Sequence, residues 1–225
     1  MENPLAKNPK LHLAIISLLG WFALIIQFYI NLQNKDISSA EVVIRYFSFF
    51  TILTNLMVAV CCTSLLFSNK SRLSTFFAKT GIFTAITVYI LIVGMIYNVI
   101  LRSTWHPEGL QRIVDELLHV VVPLYYLIIW IFFVPKAKLK IRGVALWLIY
   151  PLVYFIFILI RGNFSGYYPY PFLNVTKFGI NQILINAIAI MAVFILVSVI
   201  LIAIGNALYK KNEAFYKDSK IHKQS

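Results

Sequence analysis

The chain has 225 residues, of which 60% are hydrophobic and 12% charged, against ~25% charged in ordinary soluble domains. Its formal charge of +12 comes from 20 Lys and Arg against 8 Asp and Glu, and these charges fall between apolar runs rather than on one polar face, which excludes both a soluble globule and a nucleic-acid module. A mean hydropathy of +0.82, with 18 Phe, 13 Tyr and 4 Trp, excludes disorder and leaves an integral membrane protein.

A hydrocarbon core of ~30 Å, crossed at ~1.5 Å per residue, takes about 20 apolar residues. Six runs meet that length: Leu11 to Ile30, Ile44 to Phe67, Thr80 to Leu101, Val114 to Val134, Val144 to Ile160 and Ile180 to Leu208. None alternates with period two, so a barrel is not expected and the expected fold is all-α, one domain over residues 1–225 with six transmembrane helices. The first run follows Lys7 and Lys10 but has no small-residue cleavage site after it, so it is expected to be a retained helix. Cys61 and Cys62 are adjacent inside the second run, which offers neither a disulfide framework nor a cysteine zinc site. The sixth run is the longest and is expected to continue past the bilayer, with residues 209–225 as a basic cytoplasmic tail. The two halves show no matching segments of the kind that mark transporter repeats.

Of the Lys and Arg residues, 14 fall on the side of the amino terminus, the second and fourth loops and the tail, and 6 on the other. The positive-inside rule then places both termini in the cytoplasm. Five of the eight acidic residues (Asp36, Glu41, Glu108, Asp115 and Glu116) fall on the outer side, so the external face is nearly neutral. The short Lys-rich tail and the lack of a cleavable signal or eukaryotic sorting motif point to a bacterial plasma membrane.

Polar side chains inside spanning helices are costly and are expected to face the bundle interior. In the second run Ser48, Thr51 and Asn55 fall within about 60° of one another at 100° per residue. The plain reading of such hydroxyls is a bond back to the preceding turn or close helix packing. At the start of the fourth run, Asp115 and His119 lie one turn apart, so the carboxylate could fix one imidazole tautomer and leave the other nitrogen as a base. The plain reading is an acidic first turn that complements the helix dipole. If both runs enter from the outside, Ser48 lies ~6 Å and His119 ~7 Å below their starts, which puts a hydroxyl and an imidazole at one level in the outer leaflet. Such a pair can activate an oxygen nucleophile for ester cleavage. Asp115, Glu116, His119 and, from a loop, His106 could be metal ligands, but no known ligand spacing is present and no metal is expected.

The hairpin Arg161 to Leu173 ends in Tyr168-Pro169-Tyr170-Pro171-Phe172-Leu173. Its prolines cannot continue a helix and its aromatics favour the interface, so it is expected to be a rigid turn anchored among headgroups. Alternatively it caps an outer-leaflet cavity, with Arg161 pairing a lipid carboxylate or phosphate, or snorkelling to the interface. Trp105 and Tyr97 are expected to be interface anchors or packing.

Arg45-Tyr46-Phe47-Ser48-Phe49-Phe50-Thr51 followed by Asn55, the segment Leu118-His119-Val120-Val121-Val122-Pro123, and the Tyr-Pro-Tyr-Pro-Phe-Leu stretch together resemble the androgen-induced/FAR-17a-like family, and most closely its bacterial Pr6Pr branch. The resemblance covers almost the whole chain. Animal members are multipass hydrolases of fatty acid esters of hydroxy fatty acids, with a threonine in the second helix and a histidine in the fourth. The resemblance implies His119 as base and Ser48 at the threonine position, with Thr51 one turn deeper as the alternative nucleophile.

The function expected is a lipid-ester hydrolase in which Ser48 or Thr51 attacks, His119 shuttles the proton, Asp115 orients His119, and Asn55 donates to the oxyanion. Its partners are membrane lipids and an acyl-ester substrate; no organic cofactor and no nucleic acid are implied. A small transporter or channel using Ser48, Thr51, Asn55 and His119 as a proton pathway, or a lipid-binding protein without turnover, are the alternatives.

Overall fold

Inside hydrocarbon every backbone N–H and C=O needs a partner within the protein, and this chain supplies them with helices. The computed structural model describes residues 9–68 and 70–221; it is 82% helical, with no strand among the described residues. Lys7, His222 and Lys223 lie outside the described residues, as do the last four positions of the basic tail. Among the described residues six helical stretches are long and apolar enough to cross a membrane: Lys10–Leu32, Phe50–Phe67, Thr80–Leu101, Gly109–Phe133, Gly143–Ser165 and Val175–Phe215. The fold is therefore that of a multipass helical membrane protein.

Helix α1 (Lys10–Leu32) packs along α3 (Phe50–Phe67), and both approach closely because Gly20 faces Ala59, where a side chain on Gly20 would sit 3.4 Å from the alanine methyl. The short helix α4 (Arg72–Phe77), capped by the Ser71 hydroxyl on the Ser74 amide, leads into α5 (Thr80–Ile96), which packs against α3. After α6 (Gly109–Glu116) the chain enters α7 (Val122–Phe133), which packs on α5 around the fully buried Tyr126 and Trp130. Helices α8 (Gly143–Trp147) and α9 (Ile149–Ser165) form the fifth span, and α10 (Val175–Ile221) forms the sixth after a kink at Gly179, whose φ of +75° only glycine adopts readily.

The second run differs from the continuous helix read from Ile44 to Phe67. Helix α2 (Ser39–Tyr46) ends, Phe47–Phe49 are not helical, and α3 begins only at Phe50, with Phe49 extended at φ −83°, ψ 126°. A break at this depth exposes backbone groups that water cannot reach, and tyrosines from elsewhere take them up. Tyr154 of α9 donates to Ser48 O (2.8 Å) and the Thr51 amide donates to Tyr170 Oη (3.2 Å), while the Tyr46 side chain ties the end of α2 to α1 by donating to Leu24 O (2.7 Å). The break rotates Ser48 off the stripe on which periodicity placed it.

A second irregularity lies in the fourth span, where Leu117–Val121 form a π turn between α6 and α7. Its cause is readable from the residues. Pro123 has no N–H, so it can donate neither to His119 O at helical spacing nor to Leu118 O at π spacing. Both carbonyls are instead taken by asparagines: Asn55 Nδ2 donates to Leu118 O (3.2 Å) and Asn98 Nδ2 to His119 O (3.4 Å). A matching π turn at Tyr97–Leu101 ends α5 opposite it. Gly94 lets the two come together, since a Cβ there would stand 3.0 Å from His119 O and 3.4 Å from Pro123.

Candidate active site

The break and the two π turns converge on one place. The break puts Thr51 in the first turn of α3, and the π turn aims His119 at it, so that Thr51 Oγ1 lies 3.4 Å from His119 Nε2. His119 Nδ1–H donates to the backbone carbonyl of Asp115 at 2.9 Å. A carbonyl only accepts, so in the neutral ring the proton resides on Nδ1 and Nε2 offers its lone pair to the threonine hydroxyl. On the other side of Thr51, Tyr170 Oη lies 3.2 Å from Oγ1 while accepting the Thr51 amide proton. Because the phenol oxygen already accepts from that amide, its own hydrogen is available to Thr51 Oγ1. A directed chain results, from Tyr170 O–H to Thr51 Oγ1, from Thr51 O–H to His119 Nε2, and from His119 Nδ1–H to Asp115 O. Burial pushes the Tyr170 phenol above its ordinary pKa, which keeps it a donor. Tyr97 lies flat on the imidazole, with ring centroids 4.1 Å apart and planes 17° apart, and fixes the ring's tilt.

The remaining candidate residues are distributed unevenly. Ser48 is fully buried, but its hydroxyl donates back to Ile44 O at 2.6 Å, the plain reading for such a residue, and has no bond to His119. Asp115 comes to His119 chiefly through its backbone; its carboxylate Oδ1 is at 3.3 Å from Nδ1, its Oδ2 is buried without a hydrogen bond, and the Tyr97 phenol interacts with it electrostatically. Asn55 uses both amide hydrogens on Thr51 O (2.9 Å) and Leu118 O, so it clamps α3 to the fourth span and has none left for an oxyanion. Its Oδ1 is also buried without a bond. Orphaned buried acceptors cost about 1–3 kcal/mol each and gather where function rather than stability sets the residue.

Arg161 is no free anion hook. Its guanidinium pairs with Glu41 of α2 (3.1 Å) and donates to Tyr167 O (3.4 Å), while Arg45 pairs with the same carboxylate at 2.7 Å. Both guanidiniums lie over the Tyr167 ring, at 4.2 Å for Arg45 and 4.9 Å for Arg161. The hydrogen bond from Arg45, backed by the Arg161 charge, holds the Glu41 carboxyl below its usual value. The hairpin is thereby clasped to α2, and it turns Tyr170 inward instead of toward headgroups. Tyr170 sits between Pro169 and Pro171 in the extended backbone that a residue before proline prefers (φ −127°, ψ 138°), a stiff arm for a buried hydroxyl. That proline bracket was the sequence signal for Tyr170; nothing in the sequence marked Tyr97 as the partner of His119.

Thr51, His119 and Tyr170 stand on the wall of a cavity of about 280 Å³. Apart from Tyr97 and Tyr154, the rest of the wall is apolar, from Phe50, Ile92, Val93 and Ile96 through Leu152 and Phe155 of α9 to Leu184, Ile188, Met191 and Phe194 of α10. From Leu184 to Phe194 it follows α10 for about 15 Å. Leu152, Leu184 and Ile188 are also exposed on the outer surface of the bundle, so the cavity lies against the lipid between α9 and α10. Behind Phe50 the wall is backed by packed rings, Phe50 on Tyr150 (4.9 Å) and Tyr89 on Tyr150 (4.9 Å). Among the described residues no three His, Cys, Asp or Glu side chains come together to hold a metal ion.

These features define a six-span helical membrane protein with a hydroxyl–imidazole pair on the wall of an apolar, bilayer-facing cavity. No family model matches the chain, and neither a curated protein nor a solved structure matches it.

Proposed function

We propose that the protein is an intramembrane lipid esterase in which Thr51 is the nucleophile and His119 the general base. The single observation that carries this is Thr51 Oγ1 at 3.4 Å from His119 Nε2, on the wall of a cavity whose other lining suits an acyl chain. The separation is at the long end of a hydrogen bond, as is common in substrate-free sites. His119 takes the threonine proton as Oγ1 attacks the acyl carbonyl, and returns it to the leaving alcohol, which leaves an acyl-threonine. Tyr170, whose hydroxyl already touches Oγ1, is the donor placed to stabilise the charge that develops on the carbonyl oxygen. A second hydroxyl, water in the simplest case, then takes the acyl group, with His119 as base again.

The resemblance to the androgen-induced/FAR-17a-like family supports the same reading, with the nucleophile moved from Ser48 to Thr51. The positive-inside rule applied to the charge distribution supports a site facing the outer leaflet, with both termini in the cytoplasm. A transporter would need the path to continue past Phe50, Tyr89 and Tyr150, and those rings are packed on one another.

The test is release of alcohol from a long-chain ester by the purified protein. Thr51→Val and His119→Ala are expected to lower turnover by a factor of about 10²–10⁴, whereas Ser48→Ala stays within about threefold. Equal activity of wild type and His119→Ala would remove the reading.

A further inference from the structure

Resting on the reading of Thr51 as the acylated residue, we propose that the acyl group passes from Thr51 to the hydroxyl of a second lipid in preference to water, so that the protein exchanges esters between membrane alcohols. The observation is the shortage of polar groups on the cavity wall. An ordered water needs two to four hydrogen-bond partners to be held in a protein interior. The wall offers few that are uncommitted. The Tyr154 hydroxyl is donated to Ser48 O, Tyr170 is bonded to the Thr51 amide and hydroxyl, and the Tyr97 hydroxyl is engaged by the Asp115 carboxylate. Once Thr51 is esterified its oxygen no longer donates, and His119 Nε2 is the one remaining group poised toward the acyl carbon. A hydrolytic water would have that one strong partner and would find the hydroxyl hydrogens around it already committed.

A lipid alcohol has no such difficulty. Its alkyl chain holds it in the cavity through apolar contact along Leu184, Ile188 and Met191, and its hydroxyl needs only Nε2. It also arrives from the right side, because Leu152, Leu184 and Ile188 are exposed to lipid and the first alcohol leaves by the same route. The steps balance without any further reagent. In the first, the Thr51 Oγ1–acyl carbon bond forms, the original ester C–O bond breaks, and the threonine proton travels through Nε2 to the departing alkoxide. In the second, the new alcohol gives its proton to Nε2, its oxygen bonds to the acyl carbon, the Thr51 ester bond breaks, and the proton returns to Oγ1. One ester and one alcohol enter, and one of each leaves.

The experiment uses the full chain in vesicles of an ether-linked phosphatidylcholine, so that the matrix carries no ester, with a long-chain ester bearing a deuterated acyl group as donor and hexadecanol as acceptor. Mass spectrometry then compares deuterated hexadecyl ester with deuterated free acid. The expected result is at least tenfold more ester than acid, with butanol at equal concentration unable to replace hexadecanol. Val93→Thr, which adds a hydroxyl to the wall at nearly constant shape, is expected to move the ratio severalfold toward free acid. Free acid as the main product in the presence of hexadecanol would overturn the proposal while leaving the esterase reading in place. Alcohol release unaffected by Thr51→Val, or none from the wild type, would overturn both.

Discussion

At the scale of single residues, the contact between His119 and Asp115 decides how the base is held. In a Ser-His-Asp triad the carboxylate fixes the tautomer, and replacing it by an amide costs ~10⁴ in kcat. Here the nearer acceptor is the backbone carbonyl of Asp115 at 2.9 Å, with the carboxylate at 3.3 Å. A backbone carbonyl survives any side-chain substitution. Asp115→Asn is therefore expected to lower turnover by less than about 100-fold, well short of His119→Ala, measured as kcat in the same ester assay; a loss as deep as that of His119→Ala would restore the triad view. Tyr170→Phe removes the hydroxyl that touches Oγ1 while keeping the ring that packs on Phe49 and Phe172. It is expected to lower kcat about 10–100-fold with KM changed less than threefold. The histidine and both hydroxyls were legible in the sequence because ionisable and polar groups are rare in spanning runs. Which hydroxyl meets the imidazole was not, since the choice turned on where a helix breaks, and the tyrosines that sustain that break come from residues a hundred or more positions away.

At the scale of elements, proline sets the register of the fourth span. Pro123→Ala returns an N–H that can close an ordinary helical bond to His119 O, which removes the reason for the π turn and rotates His119 by up to ~100° about the helix axis. The variant is expected to keep or raise its melting temperature and to lose at least tenfold in turnover. Loss of both together would mean that Pro123 serves packing alone. The sequence displayed the proline but not its consequence, because the freed carbonyls are answered by Asn55 and Asn98 from two other helices. The clasp between α2 and the 161–173 hairpin carries a pH dependence. Glu41 is held below its usual value near 4.5, so its stabilising effect is fully present above pH about 4.5 and fades as the pH falls through its folded value. Melting temperatures of wild type and Glu41→Gln are expected to differ at pH 7 and converge in acid; parallel curves would show that the carboxylate contributes nothing to the clasp.

For the whole molecule, the six spans follow from apolar length and were legible almost to the residue at Thr80 and Phe67, while the second span shortened because its first quarter became α2 and the break. Orientation rests on a different physical ground. Basic residues near anionic headgroups are worth about 1 kcal/mol each, so the distribution of 14 against 6 is the ground on which the proposed orientation stands. The opening of α3 at Thr51, the π turn at His119 and the hairpin at Tyr170 all lie at the end with few basic residues, so orientation also decides which leaflet feeds the cavity. Cys61 and Cys62 are buried and leave a low labelling background. A cysteine in place of the exposed Asn163 is expected to react with a membrane-impermeant maleimide in intact cells, and one in place of the exposed Lys138 only after the membrane is opened. The reverse pattern would turn the molecule over and make the inner leaflet the source of its lipids, with the geometry of Thr51, His119 and Tyr170 unchanged.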